Sequence, residues 1–183
     1  LCPKPAPAQW QRCLYFFKSI ASLYREARPQ RYPENRAGAE LNLMRNLRES
    51  LGMPVRLEWS EDGEGAVKVL TMNGETIGLR QYRVHNTTLI LKFAFTDLNF
   101  EGRGVGPMLL AGILERHPAV TRVSASLAME NAATLASNLR RGLSCEDALR
   151  LTPVYRAAAR SGFTRLIQPN CLSGAILIER AIP

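Results

Sequence analysis

The stretch NFEGRGVGPMLLAGILE, residues 99–115, places three glycines at alternate positions directly before an apolar helical pattern. Gly102, Gly104 and Gly106 allow two interpretations. They can form a turn, because glycine adopts positive φ at little cost. They can also form a phosphate cradle, because backbone N–H groups without Cβ atoms and the positive end of a helix dipole attract an anion. Pro107 suits the first turn of the helix in both cases.

Two familiar phosphate-binding loops do not fit this stretch. It lacks the Gly-Lys-Ser/Thr ending of a nucleotide P-loop. A dinucleotide-binding loop belongs to a parallel βαβ unit, whereas the strands before residue 99 are predicted to be antiparallel. The neighbouring elements therefore have to decide what the glycines do.

The segment N-terminal to the glycines changes from helices to strands. Residues 1–8 are rich in proline, which predicts an extended arm. Within residues 9–53, apolar residues recur three and four apart in two runs, which predicts two helices packed on the core. Gly52 and Pro54 close the second run. From residue 55 to residue 95 the pattern alternates as in an antiparallel meander, with Asn73-Gly74 as its strongest hairpin signal.

The segment C-terminal to the glycines mixes helices and strands. Leu143–Leu151 shows no single pattern. The other predicted elements are a helix over Val105–Arg116, a strand over Val120–Leu127, helices over Asn131–Arg141 and Val154–Ser161, and strands over Phe163–Gln168 and Ala175–Arg180.

Composition describes a globular chain with a basic balance. Of its 183 residues, 46% are hydrophobic, and the formal charge is +8. A basic chain favours anionic partners such as nucleic acid or phosphorylated cofactors. No apolar run reaches the roughly 18 residues that a membrane span requires. The four cysteines occur singly, which favours free thiols in a reducing compartment and argues against a zinc site, although their even number also permits disulfides.

The order of elements resembles that of the GNAT acyltransferases, which use acetyl-CoA. Their pyrophosphate loop commonly reads R-G-x-G-[IV]-G-x-x-L-L, and residues 101–110 match it at every position but the first. Residues 154–164 are similar to the family's A-x-x-L-Y-x-x-x-G-F helix and the strand that follows. The resemblance covers residues 55–182. It implies an α+β fold with a mixed, mostly antiparallel central sheet flanked by helices, in which residues 54–183 form the acyltransferase core behind two N-terminal helices.

Two residues depart from the family pattern. Glu101 stands where the loop usually opens with arginine or glutamine, so an acid lies beside the expected pyrophosphate. Ala158 replaces the tyrosine that usually protonates the departing thiolate. Tyr155 lies one helical turn earlier and is either its substitute or a packed aromatic.

The alignment between the second strand-helix unit and the last strands is open. The family's asparagine after the fifth strand corresponds to Asn131, and an insertion around residues 140–152 is then implied. A rival alignment places the family's helix at residues 131–142, where the Gly-Phe pair is missing.

The resemblance also implies the site residues. The predicted catalytic residues are Glu130 and Asp97 as bases and Tyr155 as the acid, with His85 as a further candidate base. Their plain alternatives are a helix cap, a turn cap, a packed aromatic and a solvated turn residue, respectively. The predicted acetyl-CoA contacts are Leu98, Arg103, Gly104, Val105, Gly106, Pro107, Met108 and Asn131. No metal is expected.

The main functional hypothesis is acetyl transfer from acetyl-CoA to an amine or hydroxyl of an unknown acceptor, in the cytoplasm. The arginine-rich N-terminal region suggests an acidic acceptor or a nucleic acid. One alternative is a GNAT-fold interaction protein, such as a bacterial effector or toxin module delivered into another cell. Another is a basic RNA-binding domain, whose affinity would fall steeply with salt.

Overall fold

The computed structural model of the chain describes residues 36–60 and 65–181. Within them, the strands are β1 (Val55–Ser60), β2 (Gly65–Thr71), β3 (Thr76–His85), β4 (Thr88–Thr96), β5 (Arg122–Ser126), β6 (Phe163–Leu166) and β7 (Ala175–Arg180). The α-helices are α1 (Arg36–Leu51), α2 (Val105–Arg116), α3 (Met129–Arg140), α4 (Cys145–Arg150) and α5 (Pro153–Arg160), and a short 3₁₀ helix spans Leu98–Phe100.

The described strands form one sheet in the order β1-β2-β3-β4-β5-β7-β6. β1 to β4 are an antiparallel meander, as predicted. β5 joins β4 in parallel through four residue pairs, from Thr88↔Arg122 to Leu91↔Ala125, and β7 lies antiparallel between β5 and β6. The predicted fold class, an α+β arrangement with a mixed and mostly antiparallel sheet flanked by helices, is therefore confirmed.

Two glycines let helix α2 pack closely on both of its neighbours. A Cβ atom on Gly112 would lie 2.7 Å from the side chain of Leu43 in α1, and a Cβ atom on Gly78 in β3 would lie 2.7 Å from that of Val105. Both distances are shorter than carbon atoms tolerate, so these contacts require glycine. They hold α2 between α1 and the sheet, and they fix where its N-terminus points.

The implied insertion forms a short helix of its own. In α4, the Ser144 hydroxyl accepts a hydrogen bond from the Asp147 N–H at 3.1 Å and caps the N-terminus. Helices α3 and α5 are both present, so each of the two alignments places the family's helix on a helix of this chain. Only α5 leads directly into Gly162-Phe163 and β6, and Phe163 is fully buried there.

The structure places α1 where the second N-terminal helix was predicted. The proline-rich arm of residues 1–8, the first predicted helix and most of the turn after β1 lie outside the described residues. In the described part of the chain, no helix has both the length and the apolar character required to cross a membrane.

Candidate active site

The glycine loop links the 3₁₀ helix to α2 through two left-handed residues. Gly102 has φ 75°, and Gly104, which caps α2, has φ 78°. Side chains other than glycine rarely adopt this conformation, so these two glycines are required by the turn itself. Gly102 and Gly104 therefore form a turn, as the first of the two interpretations predicts.

The same loop leaves a row of donors open at the start of α2. In the described part of the chain, the N–H groups of Gly104, Val105 and Gly106 donate no hydrogen bond, and the first N–H of the helix to be bonded is that of Met108, which donates to the Gly104 carbonyl at 3.0 Å. An added Cβ atom on Gly106 would meet nothing within 4 Å. The helix thus presents three unpaired donors, and the space beside Gly106 is free, which is the geometry of an anion site.

The edge of β4 beside this helix end is also open. β5 pairs with β4 only as far as Leu91, while β4 continues to Thr96. β3 pairs Tyr82 with Leu91 and Arg80 with Ala94, so β4 carries one extra residue and bulges between them. Beyond the bulge Phe93 and Phe95 are exposed. The two parallel strands therefore separate into a wedge at their carboxyl ends.

The structure brings two of the predicted bases to this wedge and separates the third from it. Asp97 follows β4 and Glu130 follows β5, and the carboxyl ends of parallel neighbours lie at one edge of the sheet. The Asp97 carboxylate accepts the Asn99 N–H at 2.9 Å and caps the 3₁₀ helix, whereas Glu130 is exposed in the first turn of α3. His85 is paired with Thr88 at the amino end of β4, on the opposite edge.

Tyr155 is a packed aromatic whose hydroxyl is already bonded. It is buried, its hydroxyl donates to the Thr164 carbonyl at 2.8 Å, and it accepts a hydrogen bond from Arg150 at 2.7 Å. Arg150 also bonds to Glu146, and this hydrogen bond is the main reason that the pKa of Arg150 is raised. The hydroxyl joins α4, α5 and β6. Ala158 is fully buried, so no side chain replaces the missing tyrosine at its position.

Asn131 and Arg103 are likewise engaged within the protein. The Asn131 side-chain oxygen accepts the Val154 N–H at 3.0 Å and caps α5. Arg103 donates to the Leu51 carbonyl at 3.4 Å, and its guanidinium lies 5.7 Å from the centre of the Phe100 ring, so it points toward the end of α1. Arg103 therefore directs its charge away from the cradle, and its N–H already donates to the Phe100 carbonyl at 3.4 Å.

Leu98 and Glu101 flank the loop with free side chains. Leu98 lies in the 3₁₀ helix and is exposed. Glu101 is also exposed, and within residues 36–60 and 65–181 its carboxylate forms no hydrogen bond or ion pair. Its N–H is bonded to the Leu98 carbonyl at 3.4 Å. Pro107 and Met108 lie half-buried in the first turn of α2.

A disulfide corrects the prediction of free thiols. Cys145 at the start of α4 is bonded to Cys171 in the loop between β6 and β7, with 5.8 Å between their Cα atoms, which is the usual span of such a bond. The free-thiol prediction is therefore wrong for this pair. Cys2 and Cys13 lie outside the described residues. The even number of cysteines was the only signal of the bond in the sequence.

The loop that holds Cys171 is the part of the site that the sequence did not reveal. Residues 167–174 connect β6 to β7, and the Leu127 N–H donates to the Gly174 carbonyl at 2.8 Å. Because β7 is antiparallel to β5, this loop reaches the same edge of the sheet as Asp97 and Glu130. Among the described residues, no group of three or more histidine, cysteine, aspartate or glutamate side chains could hold a metal ion.

Comparison with known proteins gives distant likenesses in structure alone. No family model matches the sequence, and no curated protein matches it either. Among solved structures, a protein of unknown function from Aquifex aeolicus is 13% identical, with a TM-score of 0.43 and 78% of each chain covered. A GNAT-family acetyltransferase from Staphylococcus aureus is 13% identical, with a TM-score of 0.38, 97% of this chain and 96% of that chain covered.

A third structure is a GNAT-family acetyltransferase from Elizabethkingia anophelis with acetyl-CoA bound. It is 13% identical, with a TM-score of 0.38, and the match covers 70% of this chain and 98% of that chain. At these identities and TM-scores the likeness is distant. The chain is thus similar in the arrangement of its elements to acetyltransferases of the GNAT family.

Proposed function

We propose that this chain transfers an acetyl group from acetyl-CoA to an acceptor, and that it binds the pyrophosphate of acetyl-CoA at the N-terminus of α2. The observation that carries the proposal is the row of unpaired N–H groups on Gly104, Val105 and Gly106, with open space beside Gly106. Hydrogen bonds from backbone N–H groups to a charged phosphate are stronger than neutral ones, and the helix dipole adds to them.

The wedge between β4 and β5 supports the same ligand. Beyond Leu91 the edge of β4 that faces β5 has no partner strand, so its backbone groups are available to the amides of a pantetheine arm. The arm would run from the cradle toward Asp97 and Glu130. A backbone N–H near Leu98 would then stabilise the negative charge that develops on the thioester oxygen.

The chemistry requires a neutral nucleophile. Asp97 or Glu130, directly or through a water molecule, would take the proton from the acceptor before it attacks the carbonyl carbon. Of the two, Glu130 is the better candidate base, because its side chain can reorient toward the acceptor. The Asp97 carboxylate is held by the hydrogen bond that caps the 3₁₀ helix. Holding the two reactants together in the wedge supplies a further part of the rate.

The departing thiolate also requires a proton. Tyr155 could supply the proton only by giving up the hydrogen bond to the Thr164 carbonyl. Solvent that reaches the exposed edge of β4 is a simpler source, because the wedge is open beside Phe93 and Phe95. The role of Tyr155 as the acid stays a prediction.

Titration calorimetry with acetyl-CoA tests the binding site. We expect the unmodified chain to bind and Gly106→Glu to lose binding, because a carboxylate would then lie in the free space of the cradle, at a residue whose backbone accepts a side chain. Ala111→Glu is the matched control, since Ala111 is exposed more than one turn further along α2 and the same charge there lies outside the cradle. Absence of binding by the unmodified chain, or equal binding by Gly106→Glu, would contradict the proposal.

A further inference from the structure

A disulfide tethers the loop between β6 and β7 to helix α4. Cys171 lies in the middle of the loop, and its N–H also donates to the sulfur of Cys145 at 3.0 Å. In the part of the chain that the structure describes, the other hydrogen bonds of residues 168–173 stay within residues 170–175. The middle of this loop is therefore bonded to the rest of the fold through Cys171.

The conformation of the loop depends on this tether. Gln168, near its start, has φ 45°, a conformation that residues other than glycine keep only where the surrounding structure holds it. Leu172, beside Cys171, is 90% exposed and adds little packing. The local hydrogen bonds, such as that from the Leu172 N–H to the Asn170 side chain at 2.9 Å, do not fix the loop relative to the sheet. Without the disulfide, little holds the middle of the loop in place.

Helix α4, at the other end of the disulfide, has anchors of its own. Ala148 and Leu149 are fully buried in the hydrophobic core. Arg150, the last residue of the helix, donates to the Tyr155 hydroxyl at 2.7 Å. The buried Thr152 hydroxyl donates to the Leu149 carbonyl, also at 2.7 Å. Because burial and hydrogen bonds hold α4 without the covalent bond, breaking the disulfide releases the loop and leaves the helix in place.

We propose that Cys145 and Cys171 form a redox switch that fixes the loop when oxidised and releases it when reduced. The Leu127 N–H at the end of β5 donates to the carbonyl of Gly174, the last residue of the loop, at 2.8 Å, so the switch acts on the wedge from the end of β5. This consequence for the active site rests on the proposed function. Among the described residues, no hydrogen bond or disulfide joins the loop to residues 97–108, so the switch leaves the cradle unchanged.

The switch operates by exchange with a dithiol. Cys171 is the accessible sulfur, because its neighbours Asn170 and Leu172 are exposed. A thiolate of the dithiol attacks this sulfur, the S–S bond breaks, and Cys145 leaves with the electron pair as a thiolate that the Cys171 N–H stabilises. The second thiol of the reductant then attacks the mixed disulfide and releases Cys171. The reductant becomes a disulfide, and its two electrons and two protons pass to the two cysteines.

Amide hydrogen exchange in the oxidised chain and in the chain reduced with dithiothreitol tests the switch. After reduction we expect the amides of Cys171 and Leu127 to exchange about tenfold faster, because the atoms that accept their hydrogen bonds are no longer held in place. The Ala148 N–H, which donates to the Ser144 carbonyl at 2.9 Å within α4, should keep its protection. Faster exchange confined to the loop and the end of β5 is the result that the switch predicts.

A double variant, Cys145→Ser with Cys171→Ser, is the matched control. It should show the fast exchange of the reduced chain in the absence of dithiothreitol and should not respond when dithiothreitol is added. All forms carry Cys2→Ser and Cys13→Ser, so that a thiol titration counts only the pair and should find two new thiols after reduction. If the double variant does not fold, the oxidised and reduced forms of the chain with both cysteines still give the comparison.

Three results overturn the switch: a disulfide that dithiothreitol does not reduce in the folded chain, unchanged exchange at Cys171 and Leu127 after reduction, or an equal loss of protection at Ala148. Calorimetry with acetyl-CoA in both redox states reports on the proposed function separately, and we expect equal affinity in the two states. If exchange changes as expected and acetyl-CoA binds in neither state, the switch stands and the proposed function fails. If acetyl-CoA binds and exchange does not change, the donor site stands and the switch is wrong. An affinity that falls tenfold on reduction would contradict the restriction of the switch to the end of β5.

Discussion

Replacing Gly106 by alanine separates what the fold needs from what the cradle needs. Gly106 lies within the first turn of α2 and is not among the glycines with positive φ, and an added Cβ atom would meet nothing within 4 Å. Alanine is therefore compatible with the backbone. It should stabilise the helix by about 0.5–1 kcal/mol, because alanine loses less backbone entropy than glycine on folding.

The same methyl group should damage donor binding. It would project into the free space beside the open N–H groups of Gly104, Val105 and Gly106. Displacing the pyrophosphate from even one of these donors forfeits a charge-assisted hydrogen bond of about 1.5–3 kcal/mol. That energy corresponds to an affinity for acetyl-CoA about 10 to 100 times weaker.

Thermal unfolding and calorimetry on two variants check this reasoning. Gly106→Ala should unfold at a higher temperature by about 1–4 °C and bind acetyl-CoA poorly. Gly142→Ala is the opposite control: Gly142 has φ 83° at the far end of α3, so alanine should cost about 1 kcal/mol of stability and leave binding intact. A Gly106→Ala protein that is as stable as expected and binds acetyl-CoA with unchanged affinity would refute the cradle.

Four further variants test individual roles. Tyr155→Phe should lower stability by about 1–2 kcal/mol through its lost hydrogen bonds with turnover kept, whereas a fall of about 100-fold in turnover without loss of stability would make it the acid. Asn131→Ala should cost about 1 kcal/mol as a lost helix cap, measured by urea unfolding. Cys171→Ser should cost about 3 kcal/mol by releasing a loop closed over 26 residues, and an unchanged unfolding midpoint would exclude the disulfide. Glu179 has a depressed pKa, chiefly through its hydrogen bond with Arg122. Its contribution to the free energy of unfolding is therefore full at neutral pH and is lost as the pH falls through that pKa. Glu179→Gln should remove this part of the loss of stability in acid, measured as the pH dependence of unfolding.

The sequence predicted the elements that local patterns determine. Residue spacing within each element was enough to predict three features. They are the Asn73-Gly74 turn, the alternating strands around it and the apolar face of α2. The glycine loop was also predictable, because positive φ at Gly102 and Gly104 leaves a direct mark in the sequence. The boundaries of β5 and β6 differ by one or two residues from the predicted strands, since pairing with neighbours decides where a strand ends.

The roles of the site residues depended on contacts with residues distant in sequence, which local sequence patterns do not predict. Tyr155 could be read as an acid until the structure showed its bonds to Thr164 and Arg150. Asn131 matched a family position, but its oxygen caps α5, which lies 23 residues further along the chain. The loop of residues 167–174 carries no catalytic signature, and only the antiparallel pairing of β5 with β7 brings it to the wedge.

The parallel pairing of β4 with β5 divides the sheet into two antiparallel blocks. One block is the meander of β1 to β4, whose residues are close in sequence, and the other contains β5, β7 and β6. Four residue pairs form the seam between the blocks, and the wedge begins where the seam stops. A ligand that bonds to the edge of β4 and also to the turn after β5 would act as a fifth rung of this seam. Amide hydrogen exchange along β5 should then slow when the ligand is bound, because the ligand would hold the two blocks of the sheet together.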